Sequence, residues 1–247
     1  AQAAAPTVKR VCQELGGKSP LIITEGADLE AAVTYGVENV MLMGGQTCDA
    51  LTRMYVPESR YEDAITIAKT VAEAQVIGDP LDDKTTMGPL ASSLHRGRVL
   101  RHSNIGIEEG ARLVTGGPER PEGLDIGAYV KPTIFADTTP NMTLVREETL
   151  GPVPCITSYK TIADAIEAAN DTVFGLSSGV CTNDFRRMQT YIRGLAVGTV
   201  NIWEVPGYRT EMSPFGGVKD SGNGSKEGVV EAMKSFTNVK TFSLPWA

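Results

Sequence analysis

The residues this sequence has least of narrow its chemistry first. Only two histidines, His95 and His102, occur in 247 residues. Both fall in a basic helical stretch, so neither a histidine-rich metal site nor a Cys–His catalytic pair suits the chain. The four cysteines, Cys12, Cys48, Cys155 and Cys181, form no C-x-x-C pair. Thiols so scattered give no metal signature and fit a reducing, cytoplasmic location better than a disulfide framework. Positive charge is in deficit: 23 Lys and Arg against 30 Asp and Glu leave a net charge of −7, which argues against nucleic acid as the main partner. No apolar run approaches the roughly 20 residues of a membrane helix, and the opening A-Q-A-A-A-P offers no apolar core for a signal peptide. Phosphate fingerprints are missing too. Gly17-Lys18-Ser19 looks like the end of a P-loop, but Cys12 stands where that motif needs its first glycine. Gly222-x-Gly224 fails as a dinucleotide motif because position 227 is Glu.

What is present is ordinary for a globular protein, with 41% apolar and 21% charged residues and enough length for a sizeable core. Two strand-length apolar stretches, Val8–Leu15 and Leu21–Ile23, flank Gly16-Gly17. Asp28 reads as the N-cap of a helix through Met41, apolar at Leu29, Ala32, Val33, Val37 and Val40. A strand at Met54–Val56 precedes a helix opening at Pro57-Glu58-Ser59, with Ala64, Ile65, Ala68, Val71 and Ala72 on one face and Gly78-Asp79-Pro80 at its end. An irregular connection over 80–91 leads to a basic helix bearing Arg96, Arg98 and Arg101. Strands follow at 111–115, from Tyr129 to Phe135 around Pro132, and at Val153–Tyr159. Helices at 162–170 and 184–193 then alternate with strands at 177–181 and 196–203. Such alternation implies right-handed crossovers, so the fold class is α/β: an open, mostly parallel twisted sheet with flanking helices. Phe236 to Leu244 alternates as an edge or exchanged strand would.

Cys48 differs from its fellow cysteines. Cys155 and Cys181 lie in apolar stretches and read as buried. Cys48 closes the turn Met43-Gly44-Gly45-Gln46-Thr47-Cys48, where two glycines let the backbone bend. Thirty-four residues upstream, Glu14 lies in E-L-G-G-K-S-P. A thiol needs a neighbouring base or backbone amides to become a nucleophile, and folding can bring a carboxylate to it. A nucleophile at Cys48 with a base at Glu14 is the expectation; a turn cysteine without chemistry is the alternative left open by these residues alone.

G-G-Q-T-C at 44–48 and E-L-G-G-K-S-P at 14–20 closely resemble two active-site signatures of the aldehyde dehydrogenase superfamily. Further matches follow in the family's order: Gly78-Asp79-Pro80, K-P-T-I at 131–134, E-E-T-L-G-P at 147–152, F-G-L-S-S at 174–178 and P-F-G-G-V-K-D-S-G at 214–222. The resemblance implies that Cys48 attacks an aldehyde carbonyl while its backbone amide stabilises the oxyanion. It also implies hydride transfer to NAD or NADP, a thioester on Cys48, and a water activated by Glu14 to hydrolyse it. Glu148 matches the residue that holds the nicotinamide ribose; alone it would read as a solvated surface acid. Leu15 and Leu150 are the other positions that the resemblance sets against the cofactor.

Three departures from the family pattern bear on substrate choice. Met43 replaces an Asn five residues before the cysteine, Leu150 replaces an aromatic, and Asn201-Ile202-Trp203 exchanges the usual polar and aromatic positions. The loop Trp203-Glu204-Val205-Pro206-Gly207-Tyr208-Arg209 resembles that of the phosphonoacetaldehyde dehydrogenase branch, although that branch tends to carry arginine where this chain has Thr47. Thr47, Trp203 and Arg209 are therefore the expected substrate residues, with Arg209 able to fork onto an anionic aldehyde or to pair with Glu204 or Glu211 instead.

In relatives most of the cofactor domain precedes the position of Glu14. The resemblance thus divides the chain into a remnant of that domain at 1–16, a catalytic domain at 17–222, and a C-terminal helix and oligomerisation strand at 223–247. It implies a homodimer or homotetramer. By itself the chain reads as a fragment, weak or inactive as a dehydrogenase. A coenzyme A-acylating aldehyde dehydrogenase is the rival among enzymes, with Glu14 against it, and a non-catalytic oligomerisation module is the rival outside them.

Overall fold

Leu21, Ile22 and Ile23 are all fully buried, as an apolar run between flanking helices must be at the centre of a parallel sheet. The computed structural model, which describes residues 1–204 and 210–246, builds seven strands: β1 (Pro20–Ile23), β2 (Arg53–Pro57), β3 (Arg112–Thr115), β4 (Ile134–Ala136), β5 (Cys155–Tyr159), β6 (Ser177–Cys181) and β7 (Thr199–Ile202). They form one sheet in the order β3-β4-β5-β2-β1-β6-β7. Every neighbouring pair is parallel except β3 with β4 at the edge.

The helices are α1 (Leu29–Met41), α2 (Tyr61–Glu73), α3 (Ser93–Glu108), α4 (Thr143–Arg146), α5 (Ile162–Asn170) and α6 (Phe185–Gly194), which lie between strands in the chain, and α7 (Val229–Phe236), which follows β7. α1 starts where Asp28 predicts, because Asp28 Oδ1 accepts the Ala31 N–H at 3.1 Å. Its apolar stripe, Leu29, Ala32, Val33, Val37 and Val40, is buried with Leu21, Met54, Val56, Ala64 and Ala68 in the largest core cluster. Among the described residues no helix is long and apolar enough to cross a membrane.

The sheet differs from the sequence expectation in three places. Val8–Leu15 makes no strand: its ladder contact is a single bridge from Glu14 to Gly222, and Val8 is exposed. The stretch from Tyr129 shrinks to Ile134–Ala136, since Pro132 has no N–H to donate. At the C-terminus Phe236 ends α7, and residues 237–246 run without a strand beside the N-terminal segment, where Arg10 donates to the carbonyls of Lys234 and Thr237. Val239, Phe242, Leu244 and Trp246 are exposed there. An isolated strand leaves its backbone groups without partners, so neither terminal stretch takes that form in a single chain. The helix after Pro57 also starts later, behind a short 3₁₀ turn at Glu58–Arg60, and stops at Glu73.

Two cations lie inside this core. Arg53 is fully buried at the start of β2, where its guanidinium donates to the carbonyls of Lys18 (2.7 Å), Ala168 (3.2 Å) and Ala169 (2.9 Å) and to the Tyr55 hydroxyl (3.1 Å). The last carbonyls of α5 are thereby capped by a positive charge, which suits the negative end of a helix dipole. Lys18, just before β1, is equally buried, and its Nζ has no hydrogen-bond partner among the described residues. Burial is the main cause that pulls its pKa down to about 8.

Two stability experiments follow from these cations. Arg53→Met takes a charged donor from the Lys18 and Ala169 carbonyls, while Ala168 keeps the Tyr55 hydroxyl, and should lower unfolding stability by about 3–5 kcal/mol, read as a shift in the urea midpoint. Lys18→Met should instead raise stability at pH 7, because the folded chain keeps an ammonium there at a cost. The lysine releases its proton near pH 8 when folded and near 10.5 when unfolded, so wild-type stability climbs through that window. The advantage of the variant should shrink as pH rises from 8 toward 10.5. An advantage that does not depend on pH would contradict this account.

Candidate active site

Sheet topology explains why residues far apart in sequence meet. β1 and β2 are parallel neighbours, with Pro20 opposite Arg53. The segments that enter them, Glu14–Ser19 and Cys48–Thr52, therefore emerge side by side at one edge. β5 flanks β2 with Cys155 opposite Arg53, which brings the Glu148–Pro152 loop to the same edge. β6 flanks β1 and brings Phe174–Leu176. Four of the sequence motifs thus line the amino-terminal edge of the sheet.

Gly16 and Gly17 allow the closest approach. Gly16 has φ +77°, and a Cβ there would collide with the Glu148 carboxylate. A Cβ on Gly17 would stand 3.0 Å from the Cys48 carbonyl oxygen and 3.1 Å from Leu176 Cβ. The Gly17 N–H donates to Glu148 Oε1 at 3.0 Å. The cysteine loop bends at Gly44 (φ +65°) and Gly45 (φ +72°), and Gly45 presses on the backbone of Gly151. Met43 shares this left-handed conformation despite its side chain.

Glu14 and Cys48 are brought together. The thiol is half-buried, and its pKa is pushed up to about 12 by burial, by the charges of Asp49 and Glu14, and by hydrogen bonding with Glu14. Glu14 Oε1 is buried with no hydrogen-bond partner among the described residues. Glu148 is also shifted upward, by burial first; the Gly17 N–H and Lys18 oppose that shift and Glu14 adds to it. Two carboxylates and one thiol therefore surround a single glycine turn. Among the described residues no group of three His, Cys, Asp or Glu side chains could hold a metal.

The remaining candidates are placed around this centre. Leu15 is exposed beside Glu14, and Leu150 sits past Glu148 with φ +51°, its carbonyl 2.7 Å from His95 Nε2. Thr47 Oγ1 is buried next to the thiol without a hydrogen-bond partner among the described residues. Trp203 leaves β7 at the opposite, carboxyl-terminal edge, and its side chain packs against the α1 core. Arg209 lies outside the described residues. Sequence reasoning missed Lys18, whose G-K-S setting was dismissed as a failed P-loop; the available signal was a lysine placed directly against the apolar run of β1. It also passed over His102, buried against Thr149 and 3.6 Å from Glu147.

Comparison with known proteins gives the family. A family profile described as "Aldehyde dehydrogenase family" matches residues 1–242. A 3-succinoylsemialdehyde-pyridine dehydrogenase of a Pseudomonas species is 43% identical over 239 residues, covering 96% of this chain and 49% of its own length. A betaine aldehyde dehydrogenase of Sinorhizobium fredii is 42% identical over 241 residues, with 98% and 49% covered. Aldehyde dehydrogenase C of Pseudomonas syringae, solved with NAD+ and octanal, superposes with a TM-score of 0.91 at 42% identity, covering 95% of this chain and 48% of that one. HpcC of Thermus thermophilus gives 0.94 at 37% identity, with 99% and 48% covered. The chain spans about half the length of the curated relatives it matches. By its profile, its relatives and its fold, the chain belongs to the aldehyde dehydrogenase family.

Proposed function

We propose that this chain supplies the catalytic half of an NAD(P)-dependent aldehyde dehydrogenase that oxidises an aldehyde to a carboxylic acid. One observation carries the reading: Glu14 stands against the Cys48 thiol, on a glycine turn whose closest neighbours are Glu148 and Cys48 itself. In this reading the thiol, protonated at rest, gives its proton to a base as sulfur attacks the carbonyl. The Cys48 backbone amide and the neighbouring Thr47 hydroxyl are the donors offered to the oxyanion. Once an acyl group is held on sulfur as a thioester, Glu14 activates the water that releases the acid. A coenzyme A-acylating enzyme would have no use for a carboxylate placed there.

The residues present fit a nicotinamide cofactor. Glu148 offers a carboxylate at the site edge, flanked by exposed Leu15 on one side and Leu150 on the other, an acceptor for ribose hydroxyls between apolar surfaces for a flat ring. Bound there, NAD(P) supplies the hydride acceptor. For the substrate, the loop Trp203–Arg209 supports an anionic aldehyde of the phosphonoacetaldehyde type. The exposed apolar residues Val239, Phe242, Leu244 and Trp246 support a homodimer or homotetramer in which a neighbouring subunit covers them.

Two experiments test the chemistry. Glu14→Gln, with the chain joined to its cofactor domain, should keep a burst of reduced cofactor while slowing steady turnover by about 10²–10⁴; loss of the burst would mean that Glu14 serves acylation as well. In the chain alone, Glu14→Gln removes a charge that opposes the thiolate. Alkylation of Cys48 by iodoacetamide at pH 8, followed by peptide mass spectrometry with exposed Cys12 as reference, should therefore speed up. Slower alkylation would reverse the electrostatic argument. For the substrate, Arg209→Ala should raise KM for anionic aldehydes and leave neutral ones unchanged; equal effects on both would remove Arg209 from substrate selection.

A further inference from the structure

We propose that Lys18 is a positioning residue: its buried ammonium, beneath the Gly16-Gly17 turn, holds the Glu148 carboxylate ionised on the Gly17 amide. The residue is nearly inaccessible, at 1% exposure, and its Nζ has no hydrogen-bond partner among the described residues. An ammonium left so is one of the more expensive groups a core can contain. Packing alone does not account for it, because a methionine fills the same space without a charge.

The groups that face Lys18 show where its field acts. Arg53 comes from β2 and Cys155 from β5, Glu147 and Glu148 from the loop before β5, and His102 from α3. Arg53 repels it, and His102, held low by burial and by Lys18 itself, adds no negative charge. Cys155 is fully buried with its Sγ directed at the Thr52 and Leu144 carbonyls, so it stays a thiol. Glu147 is largely solvated, its side chain 64% exposed, and sits beside His102; water screens it. Glu148 remains. It is half-buried, one residue of backbone separates its hydrogen bond at Gly17 from Lys18, and Glu14 repels it from the other end of the turn. Lys18 is the cation that offsets this burial and repulsion. An ionised Glu148 keeps both oxygens as acceptors, the state a ribose diol needs; this last consequence rests on the dehydrogenase reading, whereas the Lys18–Glu148 coupling does not.

The Gly17 amide reports the coupling directly. In the ¹⁵N-labelled 247-residue chain, its resonance should follow Glu148 across an acid-to-neutral pH titration, and Glu148→Gln should abolish that transition. Lys18→Met should move the midpoint upward by about one pH unit, a tenfold change in proton affinity, and Lys18→Arg should bring it back. Lys18→Gln carries the same expectation should Lys18→Met not fold. An unmoved midpoint in the uncharged variants, or a Gly17 transition that survives Glu148→Gln, would overturn the proposal. Neither result touches the burst experiment on Glu14, so failure of this coupling and failure of the dehydrogenase reading are separately visible.

Discussion

The approach of one backbone turn to three chemical groups governs the site. Gly16-Gly17 passes between the Glu148 carboxylate, the Cys48 carbonyl and Leu176 so closely that a Cβ on Gly16 would push the carboxylate aside and one on Gly17 would press on Cys48 and Leu176. Because the turn leads straight into β1, whose partner β2 is entered from the cysteine loop, the register Pro20 to Arg53 also sets where Glu14 stands relative to Cys48. A one-residue slip would turn every side chain of β1 to the other face, and with it would go the placement of the base. The fully buried run Leu21–Ile23 resists that slip. Packing of a central strand and alignment of the candidate pair, Glu14 and Cys48, are here the same constraint.

The interior behind the turn is more highly charged than the composition suggests. Arg53 is satisfied by carbonyls and joins β2 to the end of α5, so its charge does structural work without a carboxylate. Lys18 has no such compensation. Natural sequences break local rules of stability chiefly where function demands it, and a buried ammonium without a hydrogen-bond partner among the described residues, directly after the turn that carries the candidate base, is a break of that kind. The two cations therefore differ in what sustains them: geometry for Arg53, the field around Glu148 for Lys18.

How much was legible in the sequence depended on whether a feature was local. Asp28 and the stripe from Leu29 to Val40 defined α1 because a cap and a 3.6-residue period are properties of consecutive residues. Leu21–Ile23 and Met54–Val56 were legible as strands for a similar reason. Val8–Leu15 and the alternation after Phe236 have equally strand-like composition but pair with no strand among the described residues, and pairing is what makes a strand. Glu14 and Cys48 stood out through their glycine turns and family motifs. Lys18 did not, because burial of a lysine is decided by the strands and loops that close over it, which no short window contains.

The electrostatics around Cys48 argue for a particular kind of nucleophile. Cysteines activated in advance sit at helix N-termini or beside cations. Cys48 has the reverse setting: it is half-buried, and Asp49 and Glu14 add their own negative charge. Each of these disfavours a thiolate, so the resting group is a thiol. Such an arrangement protects the sulfur from adventitious electrophiles and oxidants, which react with thiolate. It also requires that the proton leave as the carbon–sulfur bond forms, to a base already in place. In the proposed reaction Glu14, with a buried oxygen that has no hydrogen-bond partner among the described residues, takes its proton later, from the water that hydrolyses the thioester. The carboxylate whose charge keeps the thiol protonated at rest is, in that proposal, the group that acts once the sulfur carries an acyl group and has no proton left to hold.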